Sequence, residues 1–172
     1  LLKLPARMRV QPDRYVLVVL AALFFAAAPP AVADQNHDRI VERVLKHVNQ
    51  QRAMNGAAPL AMNARLSDAA QKHAEDMARR DFVDHQSPDG RALQDRVASV
   101  GYPWRVIAEN LAAGMSSPES TVQSWMTSPG HRDNMLSRDY LEAGIGYAVP
   151  PEGGKRPRYS HYWVVVFGAR SR

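Results

Sequence analysis

The 172-residue sequence contains no cysteine, which removes disulfides, thiolate metal ligands and thiol nucleophiles together. Without them an exported domain must hold itself together by packing alone. The sequence also lacks internal repeats and any low-complexity linker beyond its first 33 residues. No His-Glu-x-x-His metal motif and no Ser-x-x-Lys pair occurs, and Gly114-Met115-Ser116-Ser117-Pro118 fails the Gly-x-Ser-x-Gly elbow at its last position. The chemistry left to the chain is that of histidine, carboxylates, hydroxyls and backbone amides.

A membrane-spanning run is missing as well. The apolar stretch Tyr15 to Ala28 is about 14 residues, against the roughly 20 a lasting transmembrane helix needs. It follows Arg7, Arg9 and Arg14 and precedes Ala31-Val32-Ala33, a small-x-small cleavage pattern, so residues 1–33 read as a signal peptide and residues 34–172 as one domain. Removing Lys3, Arg7, Arg9, Arg14 and Asp13 from 22 basic and 17 acidic residues leaves 18 and 16, a net charge of +2. The basic balance therefore belongs partly to the leader, and no nucleic-acid partner is expected. The cluster Lys155, Arg156 and Arg158 reads as a solvated loop.

At 45% hydrophobic residues the remainder has enough apolar side chain for a core. Ile40, Val41, Val44, Leu45 and Val48 fall at helical spacing within residues 38–52, and Leu66, Ala69, Ala70, His73, Ala74, Met77 and Ala78 do so along a second helix expected over about 67–80. His73 lies on that apolar stripe and is expected to be packed at the core edge rather than to act as a ligand. A polar loop with His85, Ser87-Pro88 and Asp89-Gly90 precedes a third helix over residues 91–100. Residues 105–113 read as extended, with Glu109 and Asn110 among Val106, Ile107 and Leu111, a placement that is costly unless both are bonded. Ser117-Pro118-Glu119 carries the hydroxyl cap, N1 proline and first-turn acid of a helix start. That helix should bury Val122, Trp125 and Met126. Ser128-Pro129-Gly130 then turns the chain, with Gly130 offering unusual backbone angles, and presents His131 at the start of a short helix. Two strands, residues 143–149 and 161–168, close the chain, and the nearly continuous apolarity of Tyr162 to Phe167 suggests cover on both faces. The order of elements points to an α+β fold with a sheet sandwiched by helix layers.

The ordered set of these pieces resembles the CAP superfamily of cysteine-rich secretory proteins, antigen 5 and pathogenesis-related 1, in its cysteine-free bacterial SCP-like branch. The residues that carry the resemblance include Asn49 and Arg52, His73-Ala74, Phe82 with His85, Glu109-Asn110-Leu111, Trp125, Ser128 with His131-Arg132 and Asn134, Gly144-Ile145-Gly146, and Tyr162 to Phe167. They span about Arg39 to Gly168. What the resemblance implies is a three-layer α-β-α sandwich with a mainly antiparallel central sheet, and a cleft that gathers His85, Glu109 and His131, with Ser128 where the family's second acid would stand.

The same three residues admit several chemistries. Two neutral imidazoles and a carboxylate suit a divalent metal such as zinc, with His85 and His131 as ligands and a position open to water. A hydrogen-bonded cluster that stiffens the cleft, with His85, Glu109 and His131 contacting a ligand, is the other reading. Ser87 and Ser128 read as turn formers beside prolines. The resulting expectation is a secreted or periplasmic, monomeric, non-enzymatic binding module for a cell-envelope component, lipid or peptide. A metal-dependent hydrolase using the same cleft is the alternative.

Overall fold

The computed structural model describes residues 30–153 and 156–171, with side chains from residue 35 onward. The apolar run of the expected leader and Lys155 of the basic cluster lie outside the described residues.

Helix α1 (Pro30–Met54) opens the described chain, and a two-residue strand β1 (Ala61–Met62) follows. Helix α2 (Ala64–Arg80) is capped by Asn63, whose side chain accepts from the amides of Arg65 and Leu66, satisfying donors that a helix start leaves orphaned. Next come α3 (Leu93–Ser99), β2 (Trp104–Ala113), α4 (Pro118–Thr127), α5 (Pro129–Leu136), β3 (Glu142–Ala148) and β4 (Tyr162–Arg170). The described strands form one sheet in the order β1-β3-β4-β2. It is antiparallel except where β1 pairs in parallel with β3.

Strand β4 explains the layering. Trp163, Val165 and Phe167 belong to a core shared with Val44 and Val48 of α1, Val122 and Trp125 of α4 and Met135 of α5. The alternate residues Tyr162, Val164 and Val166 belong to a second core with Leu66, Ala70, Ala74 and Met77 of α2 and Val97 of α3. A strand whose side chains alternate between two cores must be apolar throughout. This is the expected α-β-α sandwich, with α1, α4 and α5 on one face and α2 and α3 on the other.

Several expectations differ in detail. The first helix begins earlier than residue 38, and β1 was not expected; its two residues are exposed and show no alternation. Gly130 lies within α5 and has no positive φ, so the turn needs no glycine freedom. The direction change comes from Ser128, extended at φ −99° and ψ 118°, which ends α4 and begins α5, with Pro129 as the first helical residue.

Candidate functional site

Glu109 and Asn110 are neighbours on β2, at one edge of the described sheet, and a strand sends successive side chains to opposite faces. Glu109 pairs in register with Val166, which faces the α2–α3 core, and Asn110 with Val165, which faces the α1–α4–α5 core. One residue therefore reaches into each helical layer.

On the α3 side the Glu109 carboxylate is 1% exposed and fully engaged. Arg96 donates from Nη2 to Oε1 at 3.0 Å and to Oε2 at 2.8 Å. The His85 ring is bonded through Nδ1 to Oε1 at 2.8 Å, and a carboxylate acceptor fixes the proton on Nδ1 and leaves Nε2 outward. Arg96 Nη1 also donates to the His85 carbonyl at 3.0 Å, so one guanidinium grips both members of the pair. The loop itself is tied by His73, whose Nε2 donates to the Asp84 carbonyl at 3.0 Å. The His73 ring is buried and meets Phe82 edge-on, as its place on the apolar stripe implies.

On the α5 side Asn110 donates from Nδ2 to the His131 carbonyl at 2.9 Å, and Asn134 donates to Asn110 Oδ1 at 2.9 Å. Arg52, buried in α1, donates from Nη1 to the carbonyls of Met135 and Ser137 at 2.7 and 2.8 Å, holding the C-terminal end of α5 where a cation is favoured. Beneath it Trp125 is 1% exposed and its ring N–H donates to the Leu111 carbonyl at 2.9 Å. These contacts fix the backbone from which half-buried His131 projects.

The two histidines are tuned in opposite directions. The bond to Glu109 raises the His85 pKa above its ordinary value against the effect of partial burial. Burial lowers that of His131, and the nearby His85 charge lowers it further. Protonation is thus favoured at His85, whose side chain is more than half exposed at 59%, and disfavoured at His131. Ser128 makes no capping bond through its side chain.

The structure joins Glu109 to His85 directly and brings His131 within electrostatic reach. Among the described residues no three His, Asp or Glu side chains form a metal-holding group. Glu109 is already satisfied by Arg96 and His85, so it is not free to act as a direct metal ligand. Neither the 440 Å³ groove between α1 and α2 nor the cavity of about 30 Å³ under α3 includes these three residues in its lining. Sequence reasoning missed Arg96 as the counter-ion of Glu109, although the cost of a lone acid in an apolar strand signals that such a cation must exist.

The chain as a whole is similar to known proteins. Residues 45–167 match the model of the cysteine-rich secretory protein family, CAP. Over 106 residues the chain is 35% identical to the uncharacterized protein YkwD of Bacillus subtilis, covering 62% of this chain and 41% of that one. It therefore spans less than half the length of that relative. The fold is similar to that of an extracellular SCP-domain protein from Bacillus anthracis, with a TM-score of 0.71 at 23% identity over 84% of this chain and 45% of the other. It is also similar to an outer surface protein from Borrelia burgdorferi, with a TM-score of 0.69 at 18% identity over 77% and 94%. At those identities the two structures speak for the fold alone. With a family model matched over most of its length and the paired-core sandwich in place, the chain belongs to the CAP family of cysteine-rich secretory proteins.

Proposed function

We propose that the chain is an exported, non-enzymatic binding module of the cell envelope or extracellular space, and that His85 and His131 contact its ligand. The observation that carries this reading is the full engagement of Glu109 by Arg96 and His85. A carboxylate held by two charge-assisted bonds from a buried guanidinium is a poor general base, and the second acid position is occupied by Ser128. What remains outward is a pair of imidazoles suited to hold rather than to transform a polar ligand. Export is supported by the leader-like residues 1–33 and by the extracellular and outer-surface descriptions of the two similar structures. No helix of the described residues is long and apolar enough to cross a membrane.

A screen of ester, peptide and glycoside substrates, with His85→Ala as control, tests the reading. The expected result is no turnover above the variant's background. Turnover that the parent shows and His85→Ala lacks would replace the binding module with a hydrolase.

A second reading, reversible binding of a divalent metal, is favoured by one feature: the Nδ1 bond to Glu109 leaves His85 Nε2 directed outward. Metal binding requires neutral imidazoles. Zinc calorimetry at about pH 7.5 and about pH 5.5 brackets the ordinary imidazole value of about 6.5. Heat at the higher pH that disappears at the lower pH and in His131→Ala supports the metal. No heat at either pH leaves the hydrogen-bonded cluster.

A further inference from the structure

Under α3, on the core side of the His85 site, lies a cavity of about 30 Å³ whose lining includes His73, Asp76, Ser87 and Arg96. Each of these residues is 5% exposed or less. Each also presents one polar atom with no partner in the protein: His73 Nδ1, Asp76 Oδ2, Ser87 Oγ and Arg96 Nε. Among the described residues these are the buried side-chain polar atoms left unpaired, and all four belong to residues lining this one cavity. Buried polar groups are nearly always satisfied, so four orphans around one small space point to a shared partner.

The bonding roles can be assigned from the contacts already made. His73 Nε2 meets the Asp84 carbonyl, which only accepts, so the proton sits on Nε2 and Nδ1 is an acceptor. Asp76 Oδ1 takes the Arg79 guanidinium at 2.6 Å, leaving Oδ2 as a second acceptor. Arg96 has five N–H donors. Two go to the His85 and Arg91 carbonyls and two to the Glu109 carboxylate, so Nε–H is the fifth, unpaired donor. The Ser87 hydroxyl supplies either role. Ser87, His73 and Asp76 are not bonded to one another through these atoms, so they do not form a nucleophile relay.

We infer that this cavity is the site of one ordered internal water, which donates to His73 Nδ1 and Asp76 Oδ2 and accepts from Arg96 Nε–H and Ser87 Oγ–H. The volume suits it, since a buried water needs at least about 10 to 15 Å³ and two to four polar partners. A cation would face the Arg96 donor and an anion the Asp76 carboxylate, whereas two acceptors and two donors match water. The water ties α2, the loop bearing His85 and α3 together, and it completes the bonding of the arginine that holds Glu109.

Crystallographic refinement of the intact domain at a resolution that shows ordered solvent is the direct test. One peak within about 2.7 to 3.2 Å of all four atoms, the hydrogen-bond range, is expected. An absent peak, a peak with the short ligand distances of a metal ion, or a Ser87 hydroxyl bonded directly to His73 would overturn the inference. In solution, water relaxation dispersion on the parent and on Ser87→Val, which puts a methyl in place of the Oγ donor, should differ by one long-lived water. A folded variant with an unchanged dispersion would contradict the assignment, and the crystallographic result stands on its own if the variant does not fold.

Discussion

Arg96 ties the Glu109 carboxylate to the carbonyl of His85, and both Arg96 and Glu109 are almost wholly out of water, at 5% and 1% side-chain exposure. Taking away one member of a buried pair strands the other as an uncompensated charge, a loss of about 3 to 5 kcal/mol. Arg96→Met should therefore lower the unfolding free energy by about that amount, read by urea denaturation near neutral pH. Arg96→Met combined with Glu109→Gln should recover most of it, because no charge is then left unpaired. A loss below about 1 kcal/mol in the single variant would mean that the pair is solvated. The sequence named His85, Glu109 and His131 but not this cation. In a seven-residue helix over Leu93–Ser99 an arginine reads as a solvated side chain, and only the fold sets it against an acid 13 positions away. Asn110 and Asn134 were legible as polar points, while their mutual bond depends on how α5 docks.

At the scale of elements, the packing of α2 on β3 sets the floor under the site, because α2 carries His73. Gly144 and Gly146 face that helix. A Cβ on Gly144 would lie 2.0 Å from the Leu66 carbonyl carbon, and one on Gly146 would lie 2.4 Å from that of Ala70. The obstacle is helix backbone, which cannot rotate away, so the two elements pack closer than any side chain allows. Gly146→Ala should cost about 3 kcal/mol, the upper end of overpacking, in a denaturation series. A change under about 1 kcal/mol would show that α2 can lift from the sheet without penalty. The Gly144-Ile145-Gly146 pattern was visible in the sequence, and its reason was not, since close approach is a property of two elements. Helices α1 and α2 were legible from periodicity and β4 from its continuous apolarity, and Ser117 caps α4 as its residue type suggests, accepting from the Ser120 amide at 3.1 Å. Strand β1 was illegible because a two-residue parallel pairing with β3 leaves no local pattern.

For the whole molecule, the three layers follow from the order of elements and the two-sided apolarity of β4, both readable in the chain, whereas the charge tuning of the site arises only on assembly. Export is the other whole-molecule claim. Cleavage after Ala33 would leave α1 starting at Asp34, and N-terminal sequencing of the exported protein should return Asp34 as its first residue. Recovery of residues 15–28 in a membrane fraction would contradict that. The pH dependence of stability carries opposing contributions. That of His85, whose pKa is raised, is fully present below about 6.5 and lost as pH rises through the folded value. Those of His73 and His131, whose pKa values are lowered, are present above about 6.5 and lost as pH falls through the folded values. The most direct test of the account is an NMR titration of the histidine ring protons from about pH 4.5 to about pH 9, spanning the ordinary imidazole value of about 6.5. If Glu109, gripped by Arg96, holds one charged imidazole beside a neutral one, His85 titrates above that value and His131 below it, and the His85 midpoint falls in Glu109→Gln. Coincident midpoints for the two histidines, or a His85 midpoint unmoved by Glu109→Gln, would contradict it.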